Sequence, residues 1–595
     1  MDKRSLFAIV VTFLVLILWQ TLYVAPRREN NLKKEHSISD TTTARRSSEP
    51  EREEITRQAK PAAEKREWER KAGRDEELKG FYAPADTGRV LTVRVSTEVM
   101  DITLISRGGE IEQVKLYEYR DDEGEPLELL PEGKKGGLAV ELKKGDLTED
   151  FGGALFSVSV NGNQLDADRT IRLGGGREEA EIVFRKEAGG GDFLEKRFVF
   201  FKEGYEFRFS TKMQREGPFR EADSYAVAWN CGLVVTEKNE SVDKQGFASL
   251  GKVGEEFYKV SLGDFEDGKT KRPSAPGQVI WAGARTKYFI SAIIEDNPSS
   301  ATLELRGNED ESFVGYAVVY PFRGDPREVE KTYRGYIGPL DADRLSKFNV
   351  GLEESVELGW LRFLSVIVLK VMLFFRRFIP NYGLIIILMS VITKVLFYRL
   401  THKSFKSMKD MQKLQPKIKE LQEKYRDNKE ELNKRTMKLY KEAGVNPLGG
   451  CLPLVFQMPV FIALFGVLRN TIELRNAPFI LWINDLSAPD VLFHFGFSVP
   501  FLGDSFHLLP ILMGGAMVLQ SKLGGSPTGG SAPPGQTKMM STMMPIIFTF
   551  IFYGMPSGLV LYWIVNNLLT ILQQYYAHKQ SEKEEELAVE RGNKK

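Results

Sequence analysis

The sequence predicts an α-helical polytopic membrane protein of six spans that carries a large all-β domain on its outer side. Three observations favour this fold class. An apolar segment at the amino terminus is followed by five more after residue 380. Between them lie more than 250 residues whose short alternating runs and glycine-rich breaks are typical of β-strands and turns. The formal net charge is only +1, so the composition indicates no nucleic acid or other polyanionic partner.

The first element is a transmembrane anchor at residues 1–25. Its apolar run, Leu6–Val24, corresponds to about 28 Å of helix, which is enough to cross a bilayer. Lys3 and Arg4 precede the run, so we expect a cytoplasmic amino terminus. A cleaved signal peptide has a similar start, but no small-x-small cleavage pair follows the apolar core, which favours an uncleaved anchor. Residues 26–80 are dense in charge and are expected to form a disordered linker.

Residues 81–345 are predicted to fold as a large antiparallel β-sandwich. The segment "RVLTVRV" (89–95) alternates apolar and polar residues, and "RFVFFKEGYEFRFS" (197–210) indicates two strands around a Glu-Gly turn. Such sandwiches include sugar epimerases, which usually need a histidine and a carboxylate for general acid–base chemistry. None of the five histidines lies in this region, so we predict that it is non-catalytic, and binding of sugars or proteins stays open. The histidines are His36, His402, His494, His507 and His578.

The later membrane segments are predicted from their apolar composition. Residues 346–381 comprise a linker and an interfacial amphipathic helix, because "LGWLRFLSVIVLKVMLFFRRF" (358–378) is apolar but interrupted by four cations. The alternative, a seventh span, would invert every later loop. The second span is residues 382–400, spans three to six occupy residues 447–576, and residues 577–595 form a cytoplasmic tail.

Residues 401–446 are predicted to form a basic helical hairpin in the cytoplasm. Residues 399–446 hold fourteen Lys and Arg against seven Asp and Glu, whereas residues 471–506 hold one Arg against four acids, so the hairpin belongs inside. Helical spacing of apolar residues around the turn "RDN" (426–428) indicates two antiparallel helices. The hairpin is either a plain soluble loop or a docking surface for a ribosome or a signal recognition particle receptor. The sequence has no glycine-rich phosphate loop and no zinc-spaced Cys/His set, so we expect no cofactor.

A lysine interrupts the second span. In "LIIILMSVITKVLFYRL" (384–400), Lys394 would cost roughly 2.5–3.5 kcal/mol if it lay at the centre of a membrane helix. One explanation is that its long side chain extends to the inner interface. Polar residues also recur at membrane depth in other spans, and such groups tend to face one another or a wet cavity. We therefore predict a water-filled groove in the inner leaflet, formed by Lys394, Ser390, Gln457, Asn566 and Asn567.

The neighbouring surfaces of spans three and five are rich in methionine and phenylalanine. Such surfaces accommodate partners of varied shape, because methionine side chains are flexible and polarisable. Ordinary helix packing is the alternative explanation for any one of these residues. We predict that the two spans form an adaptable apolar surface for a partner, made by Met458, Pro459, Phe461, Met544, Phe548 and Phe552.

Four segments of the chain resemble a known family. They are "VNPLGGCLPLVFQMPVFIALF" (445–465), "ELRNAPFILWINDLS" (473–487), "MPSGLVLYWIVNNLLTILQQ" (555–574) and, more thinly, "RVSTEVMDITLISRGGEIEQVKLYEY" (94–119). They resemble the YidC/Oxa/Alb family of membrane protein insertases, in which an anchor followed by a large external domain is the Gram-negative arrangement. The resemblance implies that the periplasmic domain is a supersandwich related to the mutarotase type.

The resemblance also implies a function and site residues. Lys394 takes the place of the single positive charge that the family carries in a groove open to the cytoplasm and the lipid. The groove-lining positions are Ser390, Gln457 and Trp563, and the slide positions are Met458, Pro459 and Phe461. We expect an inner-membrane insertase and chaperone, with both termini cytoplasmic, that inserts and helps fold nascent membrane proteins in the lipid bilayer, alone or with the Sec translocon. A transporter or channel and a membrane-anchored carbohydrate-binding protein are the alternatives.

Overall fold

The computed structural model describes residues 88–592, except for residues 122, 135, 146, 266–272, 427, 446–451, 500–502 and 525–533. The predicted anchor and charged linker, at residues 1–80, lie outside the described residues. The chain divides into two compact units, Met1–Gly338 and Pro339–Lys595.

The described part of the first unit is built almost wholly from β-strands. These described residues also form one short helix, α1 (Glu240–Lys244), and two 3₁₀ turns at Pro218–Glu221 and Leu262–Asp264. Its strands are β1 (Thr92–Ser96), β2 (Met100–Ile105), β3 (Glu110–Arg120), β4 (Pro126–Glu128), β5 (Ala139–Lys144), β6 (Leu147–Asp150), β7 (Ser157–Val160), β8 (Asn163–Gln164), β9 (Arg169–Arg172), β10 (Glu179–Gly189), β11 (Asp192–Phe201), β12 (Glu206–Gln214), β13 (Ser224–Trp229), β14 (Ala248–Val253), β15 (Glu256–Ser261), β16 (Ser274–Arg285), β17 (Phe289–Glu295), β18 (Ser300–Asn308), β19 (Phe313–Pro321) and β20 (Glu328–Pro339).

These strands form two sheets. A five-stranded sheet has the order β4-β3-β2-β1-β9, in which β1 and β9 are parallel. A fifteen-stranded sheet follows the path β6-β5-β13-β19-β18-β16-β17-β20-β12-β11-β10-β7-β8, with β14 paired to β16 and β15 paired to β14. The predicted all-β character of this region is therefore confirmed.

The β-hairpin predicted at residues 197–210 is present. Strands β11 and β12 pair antiparallel around a turn in which Gly204 has a φ of +81°. Glycine adopts this conformation without strain because it has no Cβ atom. Phe198 and Phe209 face each other across the pair, fully buried, with ring centroids 4.9 Å apart. Side chains on one face of a strand recur every second residue, so the alternating pattern was sufficient to locate both strands.

A buried ionic network connects β5 to β18. Arg306 Nη1 and Nη2 donate to the two carboxylate oxygens of Glu141 at 2.6 and 2.9 Å, and Nη2 also donates to Glu304 at 2.9 Å. Burial alone would raise the pKa of Glu141, but the hydrogen-bonded Arg306 guanidinium lowers it below its usual value. The pair therefore stays ionised in the interior, where each charge depends on its partner.

The second unit is mainly α-helical. It contains 3₁₀ turns at Leu352–Ser355 and Ile472–Leu474 and a two-stranded hairpin of β21 (Phe493–Val499) and β22 (Gly503–Phe506). Its helices are α2 (Ala342–Ser346), α3 (Arg362–Arg376), α4 (Tyr382–Leu396), α5 (Tyr398–Lys413), α6 (Gln415–Lys424), α7 (Lys429–Glu442), α8 (Leu452–Asn470), α9 (Leu508–Gly524), α10 (Pro534–Phe552) and α11 (Ser557–Gly592).

The helices follow the predicted membrane segments, but several bounds differ. Among the described residues, no single helix is both long and apolar enough to cross a membrane alone, and only α4 and α5 together reach that length, across a bend of 65°. The second span, predicted as one run to residue 400, is thus interrupted after Leu396. Helix α11, in contrast, continues past residue 576 as far as Gly592. The shorter apolar helices are Phe456–Asn470, Leu508–Lys522 and Met543–Phe552.

The predicted basic hairpin forms three helices instead of two. Helices α5 and α6 are separated at Leu414, because Pro416 lacks the N–H group that would continue the first helix and is tolerated in the first turn of the next. The two arms still pack together through a cluster of buried residues, Met411, Ile418 and Tyr440. The apolar stripe predicted along the first arm therefore supplies the contact with the second arm.

Helix α8 lies close to the chain segment that leads into α3. A Cβ atom on Gly466 would lie 2.5 Å from the Leu358 carbonyl oxygen, so only glycine permits this approach. Asn470 Nδ2 donates to the Glu357 carbonyl oxygen at 2.6 Å, one turn further along α8. Helix α3 itself leaves Phe363 81% exposed, and its predicted position at the membrane interface stays a prediction.

Candidate functional site

Polar side chains on three apolar helices are linked by hydrogen bonds that pass through the backbone of Asn566. Lys394 Nζ on α4 donates to Thr570 Oγ1 on α11 at 2.7 Å. The Thr570 hydroxyl donates to the backbone carbonyl oxygen of Asn566 at 2.7 Å, one helical turn away. Gln457 Nε2 on α8 donates to Asn566 Oδ1 at 2.8 Å. The structure therefore brings together Lys394, Gln457 and Asn566, as the sequence predicted, through a threonine that the sequence reasoning did not identify.

Ser390 lies one turn before Lys394 but outside this chain. It is fully buried, and its hydroxyl donates to the Ile386 carbonyl oxygen of its own helix at 2.9 Å. The Thr393 hydroxyl donates in turn to the Ser390 carbonyl oxygen at 2.9 Å. Hydroxyl groups that bond back to their own helix satisfy themselves locally, so Ser390 makes no direct link to the other predicted groove residues.

Several polar atoms on α11 are buried without a hydrogen-bond partner among the described residues. They include two of the predicted groove residues, which contribute the Trp563 indole N–H and the Asn567 side-chain amide nitrogen. The side-chain oxygens of Gln573 and Gln574 are in the same condition further along the helix. Buried polar groups are almost always hydrogen-bonded in proteins, so these atoms are open to hydrogen bonds from water or a bound molecule.

A cavity of about 920 Å³ lies beside Lys394, between α4, α5 and α11. Lys394 is half-buried in its wall, and Arg399 and His402 contribute from α5. Among the described residues that line it, none carries a carboxylate, so its fixed charge is positive. The lining residues are Val391, Lys394, Val395, Leu396, Tyr398, Arg399, Thr401, His402, Phe405, Leu569, Leu572, Gln573, Tyr576 and Ala577.

The predicted slide residues of α8 and α10 meet around Trp563. The Trp563 ring lies 4.9 Å from Phe461, 5.3 Å from Phe552 and 5.8 Å from Phe548, measured between ring centroids. Phe461 and Phe552 are consequently buried, with 8% and 5% of their surface exposed. Met458 and Met544 are half-buried and Pro459 is exposed.

Helices α8 and α10 leave large apolar side chains exposed next to the predicted slide residues. Phe456 is 46% exposed on α8, and Met543, Ile546 and Phe550 are 46–58% exposed on α10. The sequence reasoning did not single out Ile546 or Phe550. Their i, i+3 and i+7 spacing, starting from Met543, puts Met543, Ile546 and Phe550 on one face of a helix, which is the signal that could have identified them.

Two family profiles match consecutive parts of this chain. The family profile described as 60Kd inner membrane protein matches residues 374–585, and the profile described as YidC periplasmic domain matches residues 92–371. The membrane protein insertase YidC of Pelobacter propionicus is 36% identical over 507 residues, which cover 83% of this chain and 88% of that protein. This chain belongs to the YidC family of membrane protein insertases.

Other YidC proteins match along nearly the whole chain. YidC of Chlorobium luteolum is 32% identical over 590 residues, covering 98% of this chain and 96% of that protein. A solved structure titled as an active YidC insertase with the first transmembrane domain resolved shares 20% identity at a TM-score of 0.35, covering 84% of this chain and 96% of that one. The predicted family is confirmed, and the all-β unit is its periplasmic domain.

Proposed function

We propose that this YidC-family protein inserts nascent inner-membrane proteins and helps them fold, using the cavity beside Lys394 as a hydrophilic groove. The observation that carries the proposal is the hydrogen-bonded chain from Lys394 through Thr570 and Asn566 to Gln457, which crosses three apolar helices. Polar groups placed in apolar helices are unfavourable unless they face one another or water, and here they lie next to a cavity of about 920 Å³.

The charge of the cavity supports a role in receiving acidic segments. Thr570 gives Lys394 a neutral partner, so the positive charge of the ammonium is not compensated by it. Arg399 lines the same cavity and adds a second fixed positive charge. A carboxylate about 4 Å from one such charge would gain roughly 4 kcal/mol at an effective dielectric constant of about 20. The groove would therefore favour the acidic external tail of a client.

Hydration of the groove is supported by the polar atoms that lack protein partners. The Trp563 indole N–H, the Asn567 amide nitrogen and the Gln573 side-chain oxygen have no partner among the described residues and are open to water, and Gln573 lines the cavity itself. A water-filled groove in the inner leaflet shortens the hydrocarbon layer that a polar segment must cross. This thinning lowers the barrier for a short tail without nucleotide hydrolysis.

The transfer of the client's apolar helix into lipid supplies the driving force. Each CH₂ group removed from water contributes about 0.8 kcal/mol, so some twenty apolar residues outweigh the passage of a short polar tail. The helix would slide along α8 and α10 over Met458, Pro459, Phe461, Met544, Phe548 and Phe552. It would first meet the exposed side chains, and displacement of the Trp563 cluster would uncover Phe461 and Phe552.

The proposed topology has six spans with the periplasmic domain outside. It assigns residues 1–25 to the anchor, 81–345 to the domain, 382–400 to the second span and 447–576 to the remaining four. Its support is the excess of Lys and Arg in residues 401–446. This basic hairpin is the proposed contact for a ribosome or signal recognition particle receptor, and the protein would act alone or beside the Sec translocon.

The charge is tested by comparing Lys394→Ala with Lys394→Arg in an insertion assay for single-span clients with acidic external tails. We expect Lys394→Ala to insert these clients less well and Lys394→Arg to retain insertion, because arginine preserves the charge. Lys370→Ala is the matched control, since Lys370 is exposed on α3 and lines no part of the cavity. Equal insertion by all three variants for every client would show that the charge of Lys394 plays no part in insertion.

A second experiment separates a one-sided groove from a channel. A Lys394→Cys protein in a Cys451→Ser background is treated with a charged, membrane-impermeant maleimide from either side of the membrane. We expect labelling only from the cytoplasmic side. Labelling from both sides would favour the channel alternative, and no labelling from either side would mean that the position is dry.

A further inference from the structure

A small hairpin of exposed aromatic residues lies between α8 and α9. Strands β21 and β22 pair so that Phe493 faces Phe506 and His494 faces Ser505. The pairing register shifts between His494 and Val499, but Phe495 contacts both Phe493 and Phe497 through its ring, so the three rings lie together. Their rings, with Phe506, form one array with centroid distances of 5.0–6.2 Å.

The two faces of this hairpin differ sharply in polarity. On the aromatic face, Phe493 and Phe497 are 49% and 67% exposed. On the other face, the Ser505 hydroxyl and His494 Nδ1 lie 3.0 Å apart, and the same hydroxyl donates to Asp504 at 2.8 Å. Large rings clustered at a protein surface mark a contact with an apolar partner.

The base of the hairpin is fixed to the ends of two apolar helices. Asp490 Oδ2 accepts from the Leu508 and Leu509 backbone N–H groups at 2.9 and 3.0 Å, which caps the amino end of α9. The Tyr553 hydroxyl, just after α10, donates to the Ser505 carbonyl oxygen at 3.1 Å, and its ring contacts His507. The hairpin is thus held at the helix ends that the proposed topology assigns to the outer membrane surface.

The composition of this segment suits the lipid interface. Residues 488–507 contain no Lys, Arg or Glu, and one of their two aspartates is the cap of α9. Leu481, a few residues before this segment, is 82% exposed in a left-handed conformation with a φ of +57°. The next residue, Trp482, donates its indole N–H to Asp490 at 3.0 Å, which ties this leucine to the same base.

We propose that the aromatic face of β21–β22 inserts into the outer leaflet, with its rings among the acyl chains just below the headgroups and its His494 face towards water. Amphipathic segments with phenylalanine on one face and polar groups on the other bind membranes in this way. The occupant is lipid because the hairpin continues directly into α9, an apolar helix. This inference rests on the proposed membrane placement of α9 and α10.

The test measures depth with nitroxide labels on the full chain in lipid vesicles of phosphatidylethanolamine and phosphatidylglycerol. Labels are attached singly by Phe497→Cys, His494→Cys and Leu512→Cys in a Cys451→Ser background, since Cys231 is buried. Collision rates with oxygen, which concentrates in lipid, are compared with those of a water-soluble nickel complex. We expect oxygen collisions to exceed nickel collisions at positions 497 and 512, and the reverse at 494.

Each other outcome overturns a defined part of the reasoning. Leu512 is 47% exposed on α9, so its label reports the membrane placement of that helix. A label at 512 outside lipid would overturn that placement together with the hairpin inference. With 512 in lipid, a label at 497 that is open to nickel would overturn the hairpin inference alone. A label at 497 that collides with neither reagent would mean that protein, not lipid, covers the aromatic face, and would overturn the hairpin inference.

Discussion

Lys196 in the periplasmic domain offers a quantitative test of the interior electrostatics. It lies on β11 with no surface exposed, and its Nζ donates to the Gly108 and Leu138 carbonyl oxygens at 2.9 and 3.2 Å. Burial lowers the pKa of its ammonium from 10.5 to about 8, although the nearby Glu110 carboxylate acts in the opposite direction. A shift of this size corresponds to about 3 kcal/mol of unfavourable burial while the group is charged.

The sign of the pH dependence follows from the two pKa values of Lys196. The unfolded chain keeps the proton up to about pH 10.5, whereas the folded domain releases it near pH 8. Between these values the unfolded state binds more protons, so the free energy of unfolding rises with pH. The contribution of Lys196 should increase by about 2 kcal/mol between pH 7 and pH 9.5 and should be flat below about pH 7.

The measurement is urea unfolding of residues 81–345, followed by the fluorescence of the buried Trp229 and Trp281. The readout is the difference in unfolding free energy between the wild-type fragment and Lys196→Met at each pH. This difference cancels other groups that titrate above pH 8, such as the Cys231 thiol, whose pKa is raised by burial.

Lys212→Met on β12 is the control for this measurement. Lys212 has an ion pair with Glu328 at 3.0 Å, and this partner raises the pKa of its ammonium, so it keeps its charge throughout the pH range. The control should retain the wild-type slope. A difference between wild type and Lys196→Met that stays constant from pH 7 to pH 9.5 would refute the reasoning that the ammonium is desolvated.

Three further changes test other contacts. Glu141→Gln removes the bidentate partner of the buried Arg306 guanidinium and leaves Glu304 as its remaining carboxylate, so it should reduce the unfolding free energy of the same fragment by about 1.5–3 kcal/mol, and an unchanged value would contradict the network. The new Cβ atom of Gly466→Ala would lie 2.5 Å from the Leu358 carbonyl oxygen, so α8 must move away. We expect the unfolding free energy of the protein in detergent to fall by about 1–3 kcal/mol, and an unchanged thermal unfolding midpoint would contradict this contact. Gln457→Leu and Asn566→Leu should show a coupling of about 1 kcal/mol in a double-mutant cycle of stability in detergent, and strict additivity would exclude their hydrogen bond.

Some elements of the fold can be located from the residues within the element itself. The strands at residues 197–210 follow from alternation, because every second side chain of β11 and β12 faces the interior. The break between α10 and α11 is likewise local, because Pro556 directly precedes the first residue of α11 and interrupts an otherwise continuous apolar run. In both cases the signal lies within the segment that it predicts.

The features that the sequence reasoning missed depend on contacts between distant segments. No proline or glycine lies near the bend of 65° between α4 and α5. The residues around Leu396 are compatible with one continuous helix, so the sequence does not indicate the bend. This bend brings Arg399 and His402 into the wall of the same cavity as Lys394. Thr570 was missed for another reason, because a threonine in an apolar helix usually bonds to its own backbone and gives no sign of a partner on another helix.

The charge in the cavity wall argues against ordinary helix packing as the explanation for Lys394. A lysine buried for packing alone is expected to face a carboxylate, because breaking or omitting the partner of a buried charge is strongly unfavourable. Lys394 instead donates to a threonine hydroxyl, and Arg399 lines the same cavity. Among the described lining residues, no carboxylate offsets these two charges. We propose that water or a transient anionic segment completes this arrangement, as the proposed insertion groove requires.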